Sequence, residues 1–149
     1  MRTYKVFAIE EGTVIDHIPQ GKGLKVINTL GLGSEDRIVT MGMNFDSKKQ
    51  GKKDIIKIEK RELTEDEANK LALIAPRATL NIIRDHKIVK KMNVMIPDKI
   101  KGIKCHNPKC ITRVEDITTR FNVTSKDPLK IKCHYCESIM DKESVLMNM

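Results

Sequence analysis

The chain has 149 residues, a formal net charge of +8, no Trp, two Tyr and three Phe. That length allows one domain or two small ones with aliphatic cores, and no apolar run is long enough to span a membrane. The basic balance suits an anionic ligand, a nucleic acid or an acidic partner surface, and equally a plain lysine-rich exterior.

In chain order, Tyr4 to Ile9 (YKVFAI) and Thr13 to Ile18 (TVIDHI) are rich in β-branched residues and broken at Glu11-Gly12, which predicts two strands. Alternation along the second puts Val14, Asp16 and Ile18 on one face and Thr13, Ile15 and His17 on the other. After Pro19, Leu24, Ile27 and Leu30 recur at helical spacing within Gly23 to Leu32, with Gly31 and Gly33 to end the helix. Arg37 to Asn44 and Asp54 to Glu59 read as strands, with the polar run Asp46 to Lys53 as the turn. A second helix starts at Thr64 as N-cap with Glu67 three residues on, carries Ala68, Leu71, Ala72 and Ala75 as its inner stripe, and stops at Pro76. Thr79 to Arg84 and Lys87 to Met92 supply two more strands around Asp85-His86.

With the first strand set aside, this order is βαββαβ plus a terminal strand. The fold expected is α+β, a ferredoxin-like split βαβ sandwich with two helices on one face of an antiparallel sheet. The other sheet face and its ends stay available for a ligand or a second subunit. Asn93 to Gly102 contains Pro97 and reads as a connector. Beyond it, Val114 to Ile117, Arg120 to Thr124 and Leu129 to Lys132 predict the short strands of a small all-β domain.

The clearest chemical signal is the spacing of Cys105, Cys110, Cys133 and Cys136, C-x4-C-x22-C-x2-C. Two close pairs on tight turns can bring four sulfurs to the corners of a tetrahedron, the geometry of one structural zinc ion per chain. Disulfides would use the same even count, but Met1 to Val6 does not resemble a secretory signal, so a cytoplasmic, reducing setting is expected. A redox dithiol needs one C-x2-C opening a helix, whereas Cys133 follows a β-like stretch and has a second pair to match. Ligand type alone leaves iron open. With four thiolates present, His106 and His134 read as flanking turn residues. A site filled by protein has no position for substrate, so the metal holds the fold and catalyses nothing.

All four ligands lie in the last third, which divides the chain into residues 1–97 and 98–149. The second part is too short to bury much apolar surface, and metal binding supplies the missing stability. Its ten basic and seven acidic residues leave +3, and four thiolates on a divalent ion bring it near neutral, so the basic excess belongs mostly to the first part. RNA-recognition domains of split βαβ topology carry stacking aromatics on central strands, and TVIDHI and DIIKIE have none. No nucleic-acid partner is therefore expected, and a zinc-ribbon nucleic-acid adaptor is the alternative. A small metal-stabilised enzyme is a further rival, but no nucleophile, open metal or substrate-shaping loop accompanies Asp16 and His17.

Gly12 to Pro19 (GTVIDHIP), Gly51 to Glu59 (GKKDIIKIE), Leu71 to Asn81 (LALIAPRATLN) and then the four-cysteine pattern resemble, in order, the regulatory chain of aspartate carbamoyltransferase. The resemblance runs from about Val6 to the C-terminus. It implies a noncatalytic subunit that binds CTP or ATP in its N-terminal domain, pairs there with a second copy of itself, and contacts the catalytic chain through the zinc domain. Three regulatory dimers would then bridge two catalytic trimers of pyrimidine biosynthesis. Carried over position by position, Ala8 and Ile9 match a strand flanking the base, and Val14, Asp16 and His17 match a strand at the ribose and phosphates. Lys57 matches the lysine that reaches base and ribose, Asn81 and Ile83 line the cavity, and Ile88 and Lys91 match the far wall, with Lys90 a register alternative to Lys91. Backbone groups around Ile9 and His86 would read the base edge, His86 standing where relatives often carry a phenol. No Gly-rich phosphate loop occurs, so a nucleotide would be bound without being prepared for hydrolysis.

Overall fold

A computed structural model describes residues 8–48 and 50–149, and the chain divides after Met95 into two compact units. Of the expected first strand, Tyr4 to Phe7 lie outside the described residues, while Ala8 and Ile9 belong to no strand. The N-terminal unit contains β1 (Gly12–Pro19), α1 (Gly23–Thr29), a 3-10 turn (Leu32–Ser34), β2 (Val39–Ser47), β3 (Gly51–Glu59), α2 (Glu65–Ile74), β4 (Thr79–Arg84) and β5 (Lys87–Asn93). Its sheet is antiparallel throughout, in the order β2-β3-β1-β4-β5, which is the split βαβ topology with β5 added at one edge.

Directly opposed residues of paired strands share a face. The rows Ile58–Thr13–Ile82 and Ile56–Ile15–Leu80 therefore lie on one face, and all six are buried. Val26, Leu71, Ala72 and Ile74 of the two helices are buried as well, which completes an aliphatic core. The capping box of α2 is formed as expected: Glu67 N–H donates to Thr64 Oγ1 at 3.2 Å, and Thr64 N–H donates to Glu67 Oε1 at 3.0 Å.

Two face assignments differ from the sequence pattern. In β1 the register jumps between Ile15 and Ile18, and His17 adopts a positive φ of 59°, so a bulge sends both Ile15 and Ile18 into the core. In α1 the buried residues are Gly23, Val26 and Leu30, while Leu24 is 53% exposed. Asp54 sets that rotation. Its fully buried carboxylate accepts from Gly21 N–H at 3.0 Å, Gly23 N–H at 2.9 Å and Asn44 N–H at 3.1 Å. A Cβ on Gly23 would stand 3.0 Å from Asp54 Oδ2, so any larger residue would press the carboxylate away from the first turn. The expected turn Asp46 to Lys53 is mostly strand, because β2 runs to Ser47 and β3 begins at Gly51.

The second unit contains β6 (Lys99–Lys101), α3 (Ile111–Val114), β7 (Arg120–Lys126), β8 (Leu129–Cys133), β9 (Ile139–Asp141) and α4 (Lys142–Met147). Its four strands form an antiparallel sheet in sequence order, and Ile100, Phe121, Ile131, Met140 and Val145 are buried. Val114 to Ile117, expected as a strand, instead ends α3 and runs on without one, and β6 lies inside the expected connector. No helix among the described residues is long and apolar enough to cross a membrane.

Candidate functional site

The sheet face away from the core collects much of what the sequence singles out. Lys57 opposes Val14, Val14 opposes Asn81, and Asn81 opposes Lys91, so these four stand in one row across β3, β1, β4 and β5. A neighbouring row joins Gly12, Ile83 and Ile88, and another joins Asp16 to Thr79. Lys90 opposes the core-facing Ile82 and so faces the opposite side from Lys91.

Polar chemistry on this face is unevenly satisfied. Asn81 is 9% exposed, and its Oδ1 is buried with no hydrogen-bond partner among the described residues. A buried amide oxygen in that state costs about 1–3 kcal/mol, and a donor from a ligand would recover it. Burial pushes the Lys57 ammonium below its usual pKa, with the nearby Asp16 charge opposing the shift. Asp16 itself is held by Lys53, whose Nζ lies 2.9 Å from Oδ1, and accepts from His17 N–H at 2.6 Å. His17 Nδ1 lies 3.0 Å from Thr79 Oγ1, which orients the ring at the bulge.

Lys53 was missed in the sequence reading, although period-two spacing in GKKDIIKIE puts Lys53 and Lys57 on the same side of β3. Ile83 is buried and Ile88 exposed. Ala8 is exposed, Ile9 buried, and the next residue ties this segment to the β4–β5 turn, where His86 N–H donates to Glu10 O at 3.0 Å. The His86 amide is thus engaged and is not an open donor for a base edge. Asp85 and His86 both take positive φ, 49° and 65°, as a tight two-residue hairpin requires.

In the second unit the four cysteines converge. Their Sγ atoms all lie within 4.8 Å of one another, with 3.7 Å between Cys105 and Cys136 and 3.7 Å between Cys110 and Cys133. A tetrahedron with metal–sulfur bonds of about 2.3 Å has edges of about 3.8 Å, so the two 3.7 Å edges match a zinc-sized ion and the cluster as a whole can close on one. Each pair rides on a turn fixed by backbone bonds. Cys110 N–H donates to Asn107 O at 3.0 Å and Lys109 N–H to Asn107 Oδ1 at 3.0 Å, while Glu137 N–H donates to Cys133 O at 3.1 Å with Glu137 at φ 63°. Burial pushes the Cys105 thiol up to about 12 and raises Cys133. At Cys136 burial acts the same way but is outweighed by hydrogen bonds involving Ser138 and Asn107, which bring it to about 6. A divalent cation supplies the charge that lets all four ionise together. His106 and His134 are exposed and stand outside the cluster.

Residues 4–95 match the family model of the aspartate carbamoyltransferase regulatory chain, allosteric domain, and residues 98–146 match its metal binding domain. The chain is 57% identical over 152 residues to the aspartate carbamoyltransferase regulatory chain of Pyrococcus furiosus, covering all of both chains. It is 55% identical to the same protein from Thermococcus sibiricus, over 100% of this chain and 99% of that one. A regulatory chain from Phocaeicola vulgatus is 49% identical over 95% of this chain and 92% of its own. Together the two family models span nearly the whole chain and give the nucleic-acid-adaptor alternative no support.

Proposed function

The chain belongs to the aspartate carbamoyltransferase regulatory-chain family, and on that premise we propose that its N-terminal unit binds CTP and ATP on the sheet face bearing Lys57, Val14, Asn81 and Lys91. As a regulatory chain it is a noncatalytic subunit, and its partner is the catalytic chain. The observation that carries the nucleotide reading is the buried, unpartnered Asn81 Oδ1 in one row with Lys57 and Lys91. An amino or hydroxyl group of a nucleoside can donate to that oxygen, and the two ammonium groups with His17 can meet a polyphosphate. Asp16, held by Lys53, is placed to accept from a ribose hydroxyl. Ala8, Ile9, Ile83, His86 and Ile88 border this region, with His86 contributing its ring or carbonyl.

The four cysteines hold one structural zinc ion, and the zinc unit docks on the catalytic chain. The chain pairs with a second copy through its N-terminal unit, three such dimers bridging two catalytic trimers in the cytoplasm. Effector control then works by differential binding: a nucleotide far from the catalytic centre changes activity only to the extent that it favours one quaternary state, typically by about 1–3 kcal/mol. Purine and pyrimidine triphosphates sharing one pocket with opposite bias would move the enzyme in opposite directions.

The test mixes the purified chain with catalytic trimers and follows particle mass and the activity response to CTP, with and without zinc. Zinc-dependent assembly with a saturable CTP response is expected, and Lys57→Ala should lose the response while keeping the mass. A CTP titration that is identical in the wild type and in Lys57→Ala would remove this face from the nucleotide site.

A further inference from the structure

The net charge of the second unit hides a segregated surface. On the exposed face of its sheet, Lys99 opposes Asn122, Asn122 opposes Lys132, and Lys101 opposes Arg120. Lys99, Lys101, Arg120, Asn122 and His134 surround a cavity of about 270 Å³ floored by the strand backbone at Ile100 and Phe121, whose buried side chains point to the other face, and Lys132 lies one strand further along. None of the seven acidic residues of 98–149 lines the cavity: Asp141 stands on the same sheet face but on β9, opposite Lys130, and Asp98 lies 3.4 Å from Lys126.

Like charges directly opposed on neighbouring strands weaken a sheet, and Lys101 against Arg120 is such a pair. Lysines on an edge strand often serve only to block sheet-to-sheet aggregation, which would account for Lys99 and Lys101 on β6. That role does not reach Arg120 and Lys132, which sit on the interior strands β7 and β8. The cavity gathers Lys99, Lys101, Arg120 and His134 with no acidic residue in its lining, a surface that suits an anionic group on another molecule.

We propose that this face of the zinc unit, centred on Lys99, Lys101 and Arg120, receives an acidic surface patch of the catalytic chain. The inference rests on the regulatory-chain reading and adds to it which residues make the contact and by what chemistry. A concave basic surface can seat one or two carboxylates in a fixed place, which makes the contact selective as well as attractive.

The experiment compares the zinc-loaded wild-type chain with a Lys99→Gln, Lys101→Gln, Arg120→Gln triple variant in binding to catalytic trimers over a salt series. Zinc content and circular dichroism establish that the variant is folded, and Lys101→Gln alone, which relieves the like-charge pair, is a milder second variant. Wild-type affinity should fall steeply with salt. The triple variant should bind at least tenfold more weakly at low salt, with a flatter salt dependence, and the single variant should shift the same way by less. Equal affinity and equal salt slope for wild type and triple variant overturn the inference alone. A zinc-loaded wild-type chain that does not assemble overturns the docking it rests on, and the inference with it. Wild-type binding to a duplex DNA oligonucleotide that the triple variant loses, with trimer assembly untouched, overturns it in favour of a nucleic-acid surface.

Discussion

Two buried polar side chains in the N-terminal unit meet opposite fates. Asp54 is fully enclosed and saturated, its oxygens taking three backbone N–H groups that fasten the β1–α1 connection and the bulge of β2. Asn81 is nearly as enclosed, yet its carbonyl oxygen is left unanswered among the described residues. A fold that wanted only stability would place an aliphatic residue there, as it does at Leu80 and Ile82 on the other face of the same strand. Replacing Asn81 by Leu should therefore separate stability from function. The melting temperature of the free chain is expected to hold or rise, since the substitution removes a desolvated oxygen worth about 1–3 kcal/mol. CTP affinity should fall tenfold or more in calorimetry, because the donor on the ligand loses its acceptor. A variant that is destabilised and binds CTP normally would give Asn81 a purely structural role.

Among the elements, those specified by local chemistry were legible in the sequence and those specified by distant contacts were not. Thr64 and Glu67 announce the start of α2 because both halves of the capping box lie within four residues. The five strands from β1 to β5 follow from β-branched runs and turn residues. The bulge at His17 has no such local signal: TVIDHI alternates cleanly, and only pairing with β3 forces Ile15 and Ile18 onto one side. Likewise the rotation of α1 is set by Asp54, far along the chain, so the Leu24-Ile27-Leu30 stripe holds at Leu30 and fails at Leu24. In the second unit, β9 and α4 were missed because a three-residue strand exists only through its pairing with β8. The row Lys57–Val14–Asn81–Lys91 is register made visible, and alternation within single strands could not align it. Gly12 anchors that register. It sits at φ 141°, and a Cβ there would come 2.0 Å from Ile58 O, inside the β1–β3 ladder. Gly12→Ala should cost about 3 kcal/mol or more by combining a strained backbone with a clash that parts the strands. Urea unfolding followed by far-ultraviolet circular dichroism would show it, and a midpoint equal to wild type would mean that β1 can shift without loss.

At the scale of the whole chain, the two units draw their stability from different sources, and metal removal should separate them. The first has a continuous aliphatic core built from one sheet face and two helices. The second buries a handful of apolar side chains around four thiols and is short enough to need the ion, whose binding in comparable peptides supplies about 10–16 kcal/mol near neutral pH. A chelator should therefore unfold residues 96–149 and release the chain from catalytic trimers while leaving N-terminal circular dichroism and CTP binding in place. The pH dependence has a definite sign. Metal binding expels thiol protons, so affinity must fall as pH falls, and most steeply for the thiols that burial raises, Cys105 at about 12 and Cys133. Cys136, at about 6, gives up its proton most readily and stays a ligand longest on acidification. Zinc release measured with a colorimetric chelator should accelerate as the solution is taken from pH 8 towards pH 6, with more than one proton taken up per ion lost. Release that is flat across that range would mean that the thiols are not the groups holding the metal.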